Sequence, residues 1–192
     1  MSTAEILRPI TPLDDRDPAD HDHYEIVDGF HVELPPMSVD SQVLACRLTW
    51  HLTGFGLEHR VGCAYTEILF KLPLPVNRNR RPDVAFVPYT RWPLDRPFPS
   101  TNGWDVLPDL CVEVVSPTDM ADEIMDKLRE YFQAGVRLVW VFYPRHQVVH
   151  IYDSLTTVRG QGRNDTLDGG VVLPGFQLAL AELFPLPPTP PA

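Results

Sequence analysis

The stretch Leu110-Cys111-Val112-Glu113-Val114-Val115 sets the tightest limit on how this chain can fold. Five apolar residues, largely β-branched, read as a strand covered on both faces, yet a carboxylate stands among them. An ionised Glu buried there costs on the order of several kcal/mol unless another group pairs with it. The fold must therefore bring a partner to Glu113. Ser116-Pro117-Thr118-Asp119 then ends the strand, because proline cannot continue the ladder, and Thr118 or Asp119 can cap a helix. Gly135 supplies that helix with its stop.

Between these limits, Ile124, Leu128, Tyr131, Phe132 and Ala134 recur at helical spacing and form one apolar stripe. Lys127 falls inside the stripe, whereas Asp126 and Arg129 fall outside it, where charges belong. A Glu on the strand and a Lys on the helix, both facing inward, predict a polar site between the two elements. A buried ion pair without chemistry, or a lysine whose stem lies on the core while its ammonium reaches water, accounts for the same residues. The pair by itself does not separate these readings.

The flanking chain supplies a mixed sheet. Leu138-Val139-Trp140-Val141-Phe142 is another fully apolar strand, and Val148 to Tyr152 alternates like a half-exposed one. Strand, helix and strand over 110–142 predict a right-handed crossover. Upstream, Tyr24 to Leu34 alternates on both sides of Asp28-Gly29, a hairpin with a type I′ turn. Glu25 lies on that hairpin, facing either solvent or the site. Ser38 or Asp40 opens a helix through Val43, Leu44, Leu48 and Leu52, closed by Gly54 and Gly56. Cys63 to Leu72 reads as one strand, and Pro82 to Pro88 as another with Asp83 at its entrance. The connection Pro73 to Arg81 carries Arg78, Arg80 and Arg81, which are either solvated or placed to hold a phosphate backbone. Residues 89–107 form a long loop with Trp92 and Trp104, read as a lid or binding element or as tucked into the core.

At 192 residues the chain suits one domain. Its expected limits are a flexible arm over 1–22, a domain over 23–184 and a proline-rich tail over 185–192. His21, Asp22 and His23 fall in the arm and read as solvated rather than metal-binding. No apolar run is long enough to span a bilayer and the first residues lack a secretory pattern, so the expectation is a cytoplasmic protein without membrane contact. Cys46, Cys63 and Cys111 are odd in number and far apart, which fits reduced core residues. A net charge of −10 argues against a general nucleic-acid coat. It leaves room for a nuclease whose carboxylates hold metal.

Asp83 and Glu113 on short strands, with Lys127 on the helix that follows, are the minimum set for metal-assisted phosphodiester hydrolysis. Hard cations take one or two carboxylates plus phosphate and water, and a neighbouring lysine can orient the attacking water and help deprotonate it.

A family resemblance adds to this reading. Its carriers are Tyr24-Glu25-Ile26-Val27-Asp28-Gly29, Arg81-Pro82-Asp83-Val84-Ala85-Phe86-Val87 and Pro108 to Pro117. Lys127 with Tyr131, Ala134-Gly135-Val136, Trp140, Leu173-Pro174-Gly175-Phe176 and Glu182-Leu183-Phe184 complete the set. In this order and spacing they resemble the Uma-type endonuclease family, widespread in bacteria, within the PD-(D/E)XK restriction-endonuclease-like superfamily. The resemblance covers roughly residues 24–184. It implies an α/β fold of α+β type, a restriction-endonuclease-like core of a mixed β-sheet flanked by helices. It also implies that Asp83 is the acid of the PD half-motif and Glu113 the second acid, with the backbone carbonyl of Val114 as a further metal ligand. The superfamily's lysine usually stands two residues after the second acid, here Val115, and Lys127 looks like its migrated replacement. A second departure is Asp40, where many members carry His. Mg²⁺ or Mn²⁺ as cofactor, DNA as substrate and a homodimer follow from the same resemblance. The competing class is a binding or interaction module that kept the fold and cuts nothing, and RNA or a structured intermediate is a third substrate reading.

Overall fold

The computed structural model describes residues 10–12 and 23–184. Short strands Ile10–Pro12 (β1), Tyr24–Val27 (β2) and Phe30–Glu33 (β3) come first. Between β2 and β3, Asp28 (φ 54°) and Gly29 (φ 83°) supply the two left-handed residues that a type I′ turn requires. Helix α1, Val39–Glu58, starts at Ser38, whose hydroxyl accepts from the Ser41 N–H at 3.4 Å. Strands Gly62–Thr66 (β4), Phe70–Lys71 (β5), Asn79–Arg80 (β6), Val84–Pro88 (β7) and Leu110–Val114 (β8) follow. Helix α2, Ala121–Ala134, leads into Leu138–Tyr143 (β9), then Val148–Ser154 (β10), Thr157–Gly162 (β11), Thr166–Gly169 (β12) and Leu173–Ala179 (β13).

The main sheet has six strands in the order β11-β10-β9-β8-β7-β4. Only the β8–β9 pair, joined through α2, is parallel, so the sheet is mixed as expected. Side chains alternate across it. Leu110, Val112 and Val114 of β8, with Leu138, Trp140 and Phe142 of β9, pack toward Leu44, Leu48 and Leu52 of α1 and Leu173, Phe176 and Leu178 of β13. Cys111, Val139 and Val141 point the other way, onto Ile124, Leu128 and Tyr131 of α2. Being an odd-numbered neighbour of Cys111, Glu113 is thereby delivered to the α2 face. A second sheet, β1-β3-β2-β6-β5, stands beside it. Among the described residues, no helix is long and apolar enough to cross a membrane.

Several local expectations are corrected. Residues 10–12 of the expected arm pair with β3 as strand β1; the rest of 1–22 and the tail from 185 lie outside the described residues. The single strand expected over Cys63–Leu72 is two, in different sheets, because Glu67 adopts a left-handed conformation (φ 51°) between them. The arginine-bearing connection holds β6, which joins β5 to β2. Neither Thr118 nor Asp119 caps α2: its N-cap is Met120, and the Asp119 carboxylate instead accepts from the Ser116 N–H at 2.7 Å. Cys46 is exposed rather than in the core, while Cys111 is buried. Both Trp92 and Trp104 are buried.

Helix α1 also runs past the glycines expected to stop it. A Cβ on Gly56 would lie 2.2 Å from the carbonyl oxygen of Gly62, so this glycine lets helix and β4 touch rather than ending the helix. Gly54 has nothing within 4 Å. Gly54→Ala is therefore expected to raise stability by about 0.5–1 kcal/mol through helix propensity. Gly56→Ala should lower it by roughly 1–3 kcal/mol through overpacking. Urea midpoints of the two variants against the parent protein measure both signs.

Candidate active site

Strands β7 and β8 are antiparallel neighbours with Val84 opposite Val112. Carried one residue further, that register sets Asp83 opposite Glu113. The Asp83 carboxylate accepts a short hydrogen bond from the Val114 N–H, which fixes it against the end of β8. Helix α2 then lays two side chains four residues apart over Glu113, the spacing at which helical neighbours share a face. Lys127 Nζ donates to Glu113 Oε2 at 2.8 Å and the Tyr131 hydroxyl to Oε1 at 2.6 Å. The structure thus brings together Asp83, Glu113 and Lys127, residues far apart in the chain.

A third carboxylate, whose facing the sequence leaves open, completes the group. Glu25 on β2 is 2 % exposed and its Oε1 lies 3.5 Å from Lys127 Nζ. It also accepts from Arg80 Nη1 at 2.6 Å and from the Arg81 N–H at 3.0 Å. Nothing in the hairpin's alternation signals this, since the partners come from β6 and α2. Tyr131 was readable in principle: it stands on the same stripe as Lys127, one turn on. Glu130 was not, for it lies off the stripe yet is buried.

The loop arginines divide. Arg80 is buried between Glu25 and Glu130, at 2.6 Å from each, and cannot serve a solvent-side phosphate. Arg78 pairs with Asp28 at 2.9 Å and stands 3.1 Å from Glu130 Oε1, an ion pair without hydrogen-bond alignment. Both hold β6 to its neighbours, because buried Glu25 and Glu130 demand cations. Arg81 alone of the three lines the cleft beside Asp83. Its guanidinium donates to the carbonyls of Tyr24 and Glu67.

The electrostatics are uneven. Burial alone would push Lys127 down, but Glu113, Glu25 and Asp83 hold its ammonium well above the ordinary lysine range. Burial likewise acts to raise Glu25, yet Lys127, Arg80 and the Arg81 N–H bring it below the usual value. Asp83 is pushed up to about 8 by burial and by the Glu113 charge, against the pull of Lys127 and the Val114 N–H. Glu113 is raised as well, by burial and by Glu25. Glu67, Asp119 and Glu123 line the same cleft, whose cavity measures about 80 Å³. Carboxylate is thus in excess where Asp83 and Glu113 face each other.

That donor set fits a hard divalent cation, which neutralises paired carboxylates and completes its shell with water. Among the described residues, no three His, Cys, Asp or Glu side chains converge to hold a metal. The chain offers two carboxylates and backbone oxygen, a set suited to Mg²⁺ more than to Zn²⁺. His23 lines the cleft; His21 and Asp22 lie outside the described residues. Asp40 is exposed and bonded to Ser38 at the start of α1.

Removing the buried guanidinium isolates the charges it serves. Arg80→Ala should cost about 3–5 kcal/mol, the scale for breaking a buried pair. Arg129→Ala, which loses only an exposed pair with Asp126, should change stability by less than about 0.5 kcal/mol. Thermal or urea unfolding of both variants checks the contrast.

The model of the Uma2 family, described as "Putative restriction endonuclease", matches residues 13–181. Among solved structures, the chain resembles one from Anabaena variabilis described as "a putative nuclease belonging to DUF820". The TM-score is 0.72 at 15 % identity, over 84 % of this chain and 89 % of that one. No curated protein matches.

Proposed function

The chain belongs to the Uma2 restriction-endonuclease family, and on that premise we propose that it is a divalent-metal-dependent endonuclease hydrolysing phosphodiester bonds of DNA. The observation that carries this reading is the meeting of Asp83, Glu113 and Lys127 in one cleft. Asp83 and Glu113, with the backbone carbonyl of Val114, would hold Mg²⁺ or Mn²⁺. When bound, such a cation polarises a water and screens charge developing on the phosphate.

The remaining roles belong to the chain's own groups. Lys127, ion-paired with Glu113 and Glu25, would orient the attacking water and stabilise negative charge. Glu25 is the second carboxylate ion-paired with that ammonium, beside Glu113. Tyr131 fixes Glu113 by bonding the oxygen that Lys127 leaves. Arg81, at the cleft wall, is the one loop arginine placed to meet a phosphate of the substrate strand. Preorganised donors of this kind are each worth about 10²–10³ in rate.

Supercoiled plasmid supplies the test. Nicking is expected with Mg²⁺ or Mn²⁺ and none with EDTA, and Asp83→Ala or Lys127→Ala should reduce it at least about 100-fold while the circular dichroism spectrum persists. Mn²⁺ titration of the parent protein should show a site that Asp83→Ala loses. Undiminished cutting by both variants would sink the proposal. A folded protein that neither binds Mn²⁺ nor cuts would be the inert module instead.

A further inference from the structure

Beyond the cleft, the long loop 89–107 builds a second concavity. A groove of about 480 Å³ is lined by Tyr65, Ile68, Phe98 and Trp104, with Glu67 and Arg81 at one end. Those last two residues also line the cleft that holds Asp83 and Glu113. The two spaces therefore adjoin, with Glu67 and Arg81 common to both.

The groove's chemistry is aromatic, and its geometry is held from beneath. Phe98 is 61 % exposed. Even so, its ring is braced: Trp92 stacks on it with centroids 6.3 Å apart, and Trp104 and Tyr65 meet it at steep angles at 5.4 and 5.9 Å. Trp92 and Trp104 are themselves buried, so the exposed face stands on a rigid support. Thr101 and Asn102 add polar groups at the rim. Cations stand close by. The Arg96 guanidinium lies 3.8 Å over the Trp92 ring, and the Lys71 side chain runs against Gly103. Glu67, in the groove's lining, is an opposing charge.

We propose that this groove receives an unstacked nucleobase of the strand whose phosphate lies at Asp83 and Glu113, so that the substrate is single-stranded or locally opened DNA. The proposal rests on the nuclease reading and names its substrate class. Bases within a duplex are stacked on one another and cannot reach an aromatic platform. A base in a single strand can, and stacking with a protein ring is tolerant of sequence because every base has a π-face. Adjacency to the cleft at Arg81 favours a nucleotide over an unrelated apolar ligand, since the phosphate and the base of one residue would then have adjoining places.

Binding of an oligonucleotide of about 12 nucleotides carrying 2-aminopurine tests this with the full chain, in Ca²⁺ to suppress cutting. The parent protein should quench the probe and bind the single strand about tenfold more tightly than the same strand in a duplex. Phe98→Ala should lose both the quench and the preference, whereas Phe98→Trp should keep them. Equal affinity for strand and duplex, or Phe98→Ala behaving as the parent, would overturn the groove. The plasmid assay reads the two ideas apart. Metal-dependent nicking with Phe98-independent binding leaves the nuclease and removes the groove. Phe98-dependent strand binding by a protein that never cuts leaves a base-binding groove and removes the nuclease reading on which the substrate assignment rests.

Discussion

Lys127 is an ammonium placed among three carboxylates, and the arrangement of the surrounding elements follows from keeping those charges paired. Glu113 sits in the middle of a strand covered on both faces, where an uncompensated charge would cost several kcal/mol, as an order of magnitude. Lys127 answers Glu113, Glu25 reaches Lys127, Arg80 reaches Glu25, and Glu130 closes on Arg80. Arg78 and Asp28 continue the alternation of sign out to the hairpin turn. This chain of charges crosses from the main sheet through α2 to the second sheet. A layer interface made this way tolerates few displacements, because each member has a fixed partner on either side.

The same pairing leaves a remainder. Lys127 is shared among Glu25, Glu113 and Asp83, and burial drives Asp83 and Glu113 toward the neutral form. Apolar packing does not relieve such an imbalance; a cation does. The charges that hold the layers together and the carboxylates that line the cleft thus belong to one network. The structural part, Glu25 with Arg80 and Glu130, is closed to solvent. The part with excess negative charge opens into the cleft.

The loop 89–107 follows a different logic. Its tryptophans pack with Phe70, Ala85, Val87 and Val106 in a cluster of their own, yet the loop also presents the exposed ring of Phe98 to the neighbouring groove.

Much of this was written locally in the chain. The apolar run with its single Glu, the stripe that included Lys127, the glycine at residue 135 and the Asp28-Gly29 turn each follow from periodicity and backbone preference over a few residues. Together they turn Glu113 and Lys127 inward, on the strand and on the helix that follows it. Other features had no such signal. Glu25 and Glu130 are buried because Arg80 lies between them, and Arg80 is buried because two residues form a strand inside what reads as a polar loop. Gly56 serves helix packing, not helix ending, because the Gly62 carbonyl of β4 lies against it in the folded chain. Local sequence determines which way a side chain faces within its own element. Which charges then meet is decided by register and by contacts between elements dozens of residues apart, and only the folded chain sets those.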